Sequence, residues 1–515
     1  MIFKQGLYLI IENVWNVNKR KNKEAIIVRE KMLKAVTKQW SFFWAGLIFG
    51  LAQILFILVD IQRDYQIYGR AVIDPLRVTA GLGQMFRGLE VFLFGGKTNW
   101  YGQVFQPDVW WPIIGMILGG SLVGLMEGEF RSWVKYDEKM LLVSFIGGII
   151  FSYGTRLAGG CTLYHLLGGI PLMQIDSWVV VAVMSLSGML TFMLLTKLGL
   201  AGYFKHQETR YYVEKAKLRG WDEEGMGYQP KYRPWRDPWR WIGVVFLVLM
   251  VGVAVWNGVF NPVYTMGFSQ AGWAYPTITL LAGLLAGIAM AKSGFGTECA
   301  MVSLELSPAL HRNDELFKTL GLPKITQTLF KGMFPFIGVI TAIVITNIFV
   351  LIAWIGFGIP LGHHIAVKDQ LNLGHLLGAA MLGFGAVALI GCEIRSYMRL
   401  GLLYGNTLIG FIGFAIGYLP YTLFPEAHDT WLSSTVIIQA YNWPELITGN
   451  LGEQHLAGIL YSVLLVATQI WAMRTSARVM HIPLKTLLHE NMETVQLSDG
   501  HPIVSIGNPC EEIHR

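Results

Sequence analysis

A cysteine beside glycines, inside apolar sequence, occurs three times in this chain. Tyr153-Gly154-Thr155-Arg156-Leu157-Ala158-Gly159-Gly160-Cys161 carries an aromatic–glycine pair, five intervening residues and a glycine–cysteine pair. Phe384-Gly385, five residues and Gly391-Cys392 repeat that skeleton more than two hundred positions later. Gly294-Phe295-Gly296-Thr297-Glu298-Cys299 has a similar mix in another order. A thiol is a weak S–H donor and a soft, polarizable contact, suited to a terminal sulfur atom. Breaks in apolar helices aim backbone N–H groups and positive helix ends at an anion. Together these features point to a conduit for a sulfur-containing anion, in which several modest contacts in series admit the ion and release it.

Other thiol chemistries fit less well. An isolated buried cysteine packs as a small apolar residue, but backbone in a glycine break must line a cavity or be buried in protein. Metal sites want close cysteine pairs or Cys/His spacing, and the sequence has no CxxC, no such Cys/His spacing and no CxxCH. No metal and no cofactor are therefore expected. A redox enzyme wants a paired or resolving thiol, and a GxxxxGK[ST] loop for ATP is missing. The reading is a transporter with no catalytic residues. The alternatives are a membrane thiol-redox protein, in which two thiols form a disulfide during turnover, and a scaffold for a sulfur or selenium enzyme, in which cysteine replacement is harmless.

Charged neighbours add to the candidate site. Arg156 and Arg395 are expected to attract the anion, with Glu298 and Glu393 neutralising them. Charges at membrane depth are rare and usually paired or functional. Glu393 and Arg395 adjoin a basic flank, so a plain interfacial role competes for them. His165, His363, His364 and His375 are candidate proton carriers or interfacial histidines. Gly160 and Gly391 complete the substrate-binding set with Cys161, Cys299 and Cys392.

The elements that must position these residues are helices in a bilayer. Charged residues make up 14% of the chain and hydrophobic ones 53%, with mean hydropathy +0.46, whereas soluble proteins carry about 25% charged residues. The lipid bilayer is thus a partner and nucleic acid is not, because lysine and arginine concentrate in a few loops as positive-inside asymmetry requires. Spans are expected over Ser41–Val59, Val109–Met126, Trp178–Leu200, Trp241–Trp256, Thr277–Ala291, Phe334–Phe357, Leu373–Ile390, Leu402–Phe424 and Leu456–Met473. Leu141–Pro171 is too interrupted by glycines for one helix and reads as two half-helices. Pro75–Gly95 reads as amphipathic, and the glycines from Gly115 to Gly124 as a small-xxx-small face.

The fold class is therefore an all-α polytopic membrane protein with about ten transmembrane crossings, including discontinuous half-helices. Basic loops and an acidic 425–455 loop place both termini in the cytoplasm. Cys161 then lies on an outward-running segment and Cys392 on an inward-running one, as inverted pseudo-repeats require. The expected organisation is a basic cytoplasmic lead (1–38), an extra span with the amphipathic segment (39–104), a first transport repeat (105–202), a cytoplasmic loop (203–240), a second repeat with C-terminal spans (241–473) and a cytoplasmic tail (474–515).

Gly159-Gly160-Cys161, Gly294-Phe295-Gly296-Thr297-Glu298-Cys299, Gly391-Cys392-Glu393-Ile394-Arg395 and Leu403-Tyr404-Gly405-Asn406-Thr407 resemble the YeeE/YedE family of bacterial sulfur-transport membrane proteins. The resemblance covers roughly residues 105–470. It implies an inner-membrane protein of two inverted pseudo-repeats that takes up thiosulfate, with three cysteines lining the centre of the pathway. By motif those roles fall on Cys161, Cys299 and Cys392. A selenium-linked branch exists, and the long N-terminal extension and the 203–240 loop depart from the short thiosulfate members toward such larger relatives. A selenium-compound transporter is thus the alternative. The resemblance also implies a small cytoplasmic sulfur-carrier protein as partner. Residues 474–515 are too few to be one, so Cys510 is an acceptor thiol or an incidental tail cysteine.

Overall fold

The computed structural model describes residues 40–74, 111–127, 138–198, 200, 274–293, 333–362, 370–389, 391–479 and 483–489, with isolated positions between 241 and 252. The basic lead, the amphipathic Pro75–Gly95 segment, the 203–240 loop, most of Trp241–Trp256, Glu298 and Cys299, His363, His364 and Cys510 lie outside the described residues.

The apolar runs fold into α1 (Phe42–Tyr68), α2 (Trp111–Glu127), α3 (Glu138–Leu157), α4 (Ile175–Lys197), α5 (Ala274–Ser293), α6 (Met333–Leu351), α7 (Leu373–Ala388), α8 (Glu393–Gly401), α9 (Gly405–Leu423), α10 (Pro425–Ser434), α11 (Trp443–Ile447), α12 (Leu451–Val479) and α13 (Leu484–His489). Local chemistry sets their ends. The Ser41 side chain accepts the Trp44 N–H at 3.3 Å to open α1, and Gly69, in the left-handed region at φ 68°, closes it. Asn372 and His375 form a reciprocal capping box at the start of α7. Among the described residues, six helices are long and apolar enough to cross a membrane, and three more apolar helices are shorter. This is a mostly helical, multi-pass membrane protein. Leu186, Leu190 and Leu464 are more than half exposed, as a lipid-facing surface requires.

Apolar side chains give little drive for helix association in lipid, so close packing must supply it. Glycines do so here. A Cβ on Gly115 or Gly119 of α2 would lie 2.3 or 2.6 Å from a carbonyl oxygen of α5, and one on Gly283 or Gly287 of α5 within 2.4 Å of a carbonyl of α2. Gly46 of α1 meets Gly338 of α6 in the same way. Gly148 of α3 faces Gly410 of α9, and Gly154 of α3 faces Gly378 of α7. The helices pack as α1 on α5 and α6, α2 on α5 and α8, α3 on α7 and α9, and α4 on α7.

One short segment ties two of the connections together. β1 (Leu371–Asn372) pairs antiparallel with β2 (Val436–Ile438). A few residues on, the Ile175 N–H donates to the Tyr441 carbonyl and the Trp443 N–H to that of Met173, both at 3.0 Å.

Candidate functional site

The chain breaks at the glycines of Leu141–Pro171, but the piece before the break, α3, is long and apolar enough to cross a membrane and is not the half-helix expected. α3 stops at Leu157, Gly159 adopts φ 71°, and the chain re-enters helix at Thr162. Residues Tyr164–Gly169 then form a π-helix. Wide turns of this kind are frequent at functional sites. A turn with Met173 at φ 62° leads into α4. The second glycine–cysteine pair has the same sequence of events. α7 stops at Ala388, Cys392 caps α8 in extended conformation, and Leu403 at φ 61° leads into α9.

Hydrogen bonds match position for position. The N–H of the residue three before each cysteine donates to the residue seven before it: Ala158 to Gly154 at 2.9 Å, Leu389 to Gly385 at 2.8 Å. Each cysteine carbonyl accepts from the residue four beyond it, His165 at 3.1 Å and Ser396 at 2.9 Å. Cys161 and Cys392 are both fully buried in one contiguous core, and neither is in a disulfide. Gly160 has a packing reason for its identity, since a Cβ there would lie 2.3 Å from the Tyr164 ring.

The charged candidates divide. α8 carries Glu393, Arg395 and Arg399, each no more than 3% exposed. For Glu393 and Arg395 the basic flank predicts an interface as much as a site; in the structure both are inside the protein. Buried charge is costly unless paired and hydrogen-bonded. Tyr397, one helical turn on from Glu393, donates its hydroxyl to that carboxylate. The Arg399 guanidinium lies 5.2 Å from the centre of the Tyr404 ring. Arg156, on the last turn of α3, donates to the Tyr418 hydroxyl at 3.5 Å and stands 4.8 Å over that ring. Arg156, Glu393 and Tyr418 are within electrostatic reach of one another, and Cys161 within that of Tyr397. Thiol, guanidinium, carboxylate and phenol thus meet between the two breaks.

The two described candidate histidines are buried as well. His165 is 0% and His375 2% exposed, and both face Asp176. Sequence reasoning missed Tyr397, Tyr418 and Asp176. Tyr397 had a signal, because the i,i+4 spacing from Glu393 puts both on one helix face. Nothing local marks Tyr418 or Asp176. Among the described residues no three His, Cys, Asp or Glu side chains are arranged to hold a metal ion.

Two clefts open near these elements. One of about 790 Å³ is lined by Ile150, Tyr153, Met381, Phe384, His428 and Trp431 and includes neither thiol. Its apolar lining suits lipid better than an anion. The other, about 290 Å³, is lined by Gln174, Tyr441, Asn442 and Glu445 among others.

Comparison with known proteins gives two partial matches. A family model described as Sulphur transport matches residues 2–190. A Thiosulfate transporter, TsuA, from Spirochaeta thermophila is 32% identical over 104 residues, which are 20% of this chain and 28% of that protein. The match thus spans little more than a quarter of the relative's length.

Proposed function

We propose that this protein is an inner-membrane permease that takes up thiosulfate or a related sulfur-containing anion, a reading supported by the match of residues 2–190 to the sulphur-transport family model. The observation that carries the reading is the pair of fully buried thiols, each at a glycine break between a long helix and a short one. A permease must strip water from a dianion without holding it, and the free energy of that desolvation is large. In the proposed pathway Cys161, Cys299 and Cys392 supply successive S–H contacts to the terminal sulfur. Arg156 and Arg395 draw the anion in, while Glu393 and Glu298 keep their charge from trapping it. Gly160 and Gly391 allow backbone to approach the ion. The N-terminal end of α8, just beyond Cys392, adds donor groups and a positive dipole end.

Two inverted repeats would place these parts around a shared centre. Exchange α1, α2, α3, 162–169 and α4 for α5, α6, α7, α8 and α9 in turn. The contact of α3 with α9 then becomes that of α7 with α4, α2 with α8 becomes α6 with the π-helix, and α1 with α6 becomes α5 with α2. All six contacts occur, which supports the repeats. It also supports starting the first repeat at α1, ahead of the position near residue 105 expected from sequence. The orientation, about ten crossings with both termini cytoplasmic, follows from the charge of the loops. A cytoplasmic sulfur-carrier protein is the natural recipient.

The test is uptake of labelled thiosulfate into proteoliposomes by wild type, Cys161→Ala, Cys299→Ala and Cys392→Ala. Wild-type uptake reduced at least tenfold in each variant is expected. Robust uptake in all three variants would leave a permease without a thiol pathway. Uptake of selenite in place of thiosulfate would move the protein to the selenium-handling alternative.

A further inference from the structure

We propose that His165, Asp176 and His375 form one proton-binding site that moves a proton together with the anion; this rests on the transport reading above. The three side chains come from the π-helix, the first turn of α4 and the first turn of α7. Asp176 Oδ2 lies 3.5 Å from His165 Nδ1 and 3.8 Å from His375 Nε2, and the imidazole centres are 6.4 Å apart.

The partners assign the protons. His165 Nε2 faces the Ala158 carbonyl at 3.0 Å, which only accepts, so that nitrogen carries hydrogen. His375 Nδ1 accepts the Asn372 N–H at 3.3 Å, so its Nε2 carries hydrogen toward Asp176. The variable position is His165 Nδ1, 3.0 Å from Ser177 Oγ. When His165 is neutral, the Ser177 hydroxyl donates to it. When His165 is protonated, the hydroxyl accepts and turns its own proton to Gln174 Oε1 at 3.2 Å or Asp176 Oδ2 at 3.4 Å. One hydroxyl rotation satisfies both states, and Asp176 balances the charge gained. Gln174, which accepts from Ser177, also lines the 290 Å³ cleft and is the member of the network that reaches it.

The site is tied to the substrate pathway by its own bonds. The His165 side chain holds the Ala158 carbonyl and its backbone N–H holds that of Cys161. A proton gained at His165 Nδ1 therefore charges a residue that is bonded to both ends of the first break. The other groups around the cluster do not share this role. Tyr164 stacks edge-on against His165, Tyr461 of α12 donates to the Ile170 carbonyl, and α6 has no titratable residue along its length. On α3, Tyr153 and Arg156 bond His428 and Tyr418. Beyond His375, α7 has no titratable residue either.

The corresponding position in the second break argues that a titratable group is not needed for structure alone. There the carbonyl three before Cys392, Leu389, is met by the amide of Asn406, which stands three residues after Leu403 as Asp176 stands three after Met173.

Proteoliposomes loaded with a pH-reporting dye and given labelled thiosulfate read both fluxes at once. Wild type is expected to acidify the interior as thiosulfate enters, and to take it up faster under an inward proton gradient. In Asp176→Asn and in His165→Gln, protons moved per thiosulfate should fall at least tenfold. Thiosulfate entry in wild type without acidification overturns the coupling and leaves the permease standing. Acidification per anion unchanged in both variants overturns the assignment to this site. Absence of thiosulfate entry in wild type removes the transport reading and the coupling together.

Discussion

The two glycine–cysteine breaks share a backbone and differ in what holds it. In the first, an imidazole grips the carbonyl three residues before the cysteine and sits in a network with Asp176, Ser177 and Gln174. In the second, the amide of Asn406 approaches the equivalent carbonyl at 3.4 Å, and its own side-chain oxygen is buried without a partner among the described residues. The short helices differ in the opposite sense. Residues 162–169 contain one ionisable group besides Tyr164, the imidazole itself, whereas α8 buries a carboxylate and two guanidiniums. The buried carboxylate and guanidiniums of α8 and the imidazole–carboxylate cluster around His165 thus stand on different halves of a similar frame. The lesson is that repeated backbone fixes where the helices open, while side chains decide what each opening responds to.

The largest effect that would break the comparison is steric. Gly160→Val drives a side chain into the Tyr164 ring, where even a Cβ lies at 2.3 Å. Overpacking of this kind costs about 3 kcal/mol. A fall in the detergent melting temperature, with loss of thiosulfate uptake, is the expected result. An unshifted melting curve would show that the first break yields easily. Next comes Tyr397→Phe, which leaves the buried Glu393 carboxylate without that hydroxyl. The loss is about 2 kcal/mol for a hydrogen bond to a charged group, read as reduced stability at pH 7. No change in stability would mean that Glu393 is held by its other neighbours. The smallest is Asn406→Ala, about 1 kcal/mol for a single neutral bond. Its effect should be the same at pH 5.5 and pH 8, because an amide does not titrate. A pH-dependent loss there would erase the contrast between the two breaks.

Much of the frame was legible because glycine spacing and apolar run length act locally. The equal interval in Tyr153–Cys161 and Phe384–Cys392 marks where helices stop, and the glycines of α2 mark a close-packing face. The site was legible only where sequence neighbours are also spatial neighbours. Arg395 could be named from its distance to Cys392, but its burial comes with the packing of α8 among helices distant in sequence, α2 among them. His165 and His375 drew attention as titratable residues. Their partner Asp176 did not, because a π-helix and a left-handed turn at Met173 bring it back to His165. Tyr418 meets Arg156 through the packing of α9 on α3, which no local pattern announces.

The glycine contacts carry a mechanical consequence. Helices that interlock through side chains can tilt by changing rotamers, since a long side chain has other wells to occupy. Where α3 meets α7 and α9, peptide groups face peptide groups with no room for a methyl between them. Any tilt there is a collision, so these three helices travel as one body or stay still. The nine-residue α8 is locked to α2 in the same way, since a Cβ on Gly120 would lie 2.3 Å from the Met398 carbonyl oxygen and one on Gly401 2.1 Å from that of Ile117.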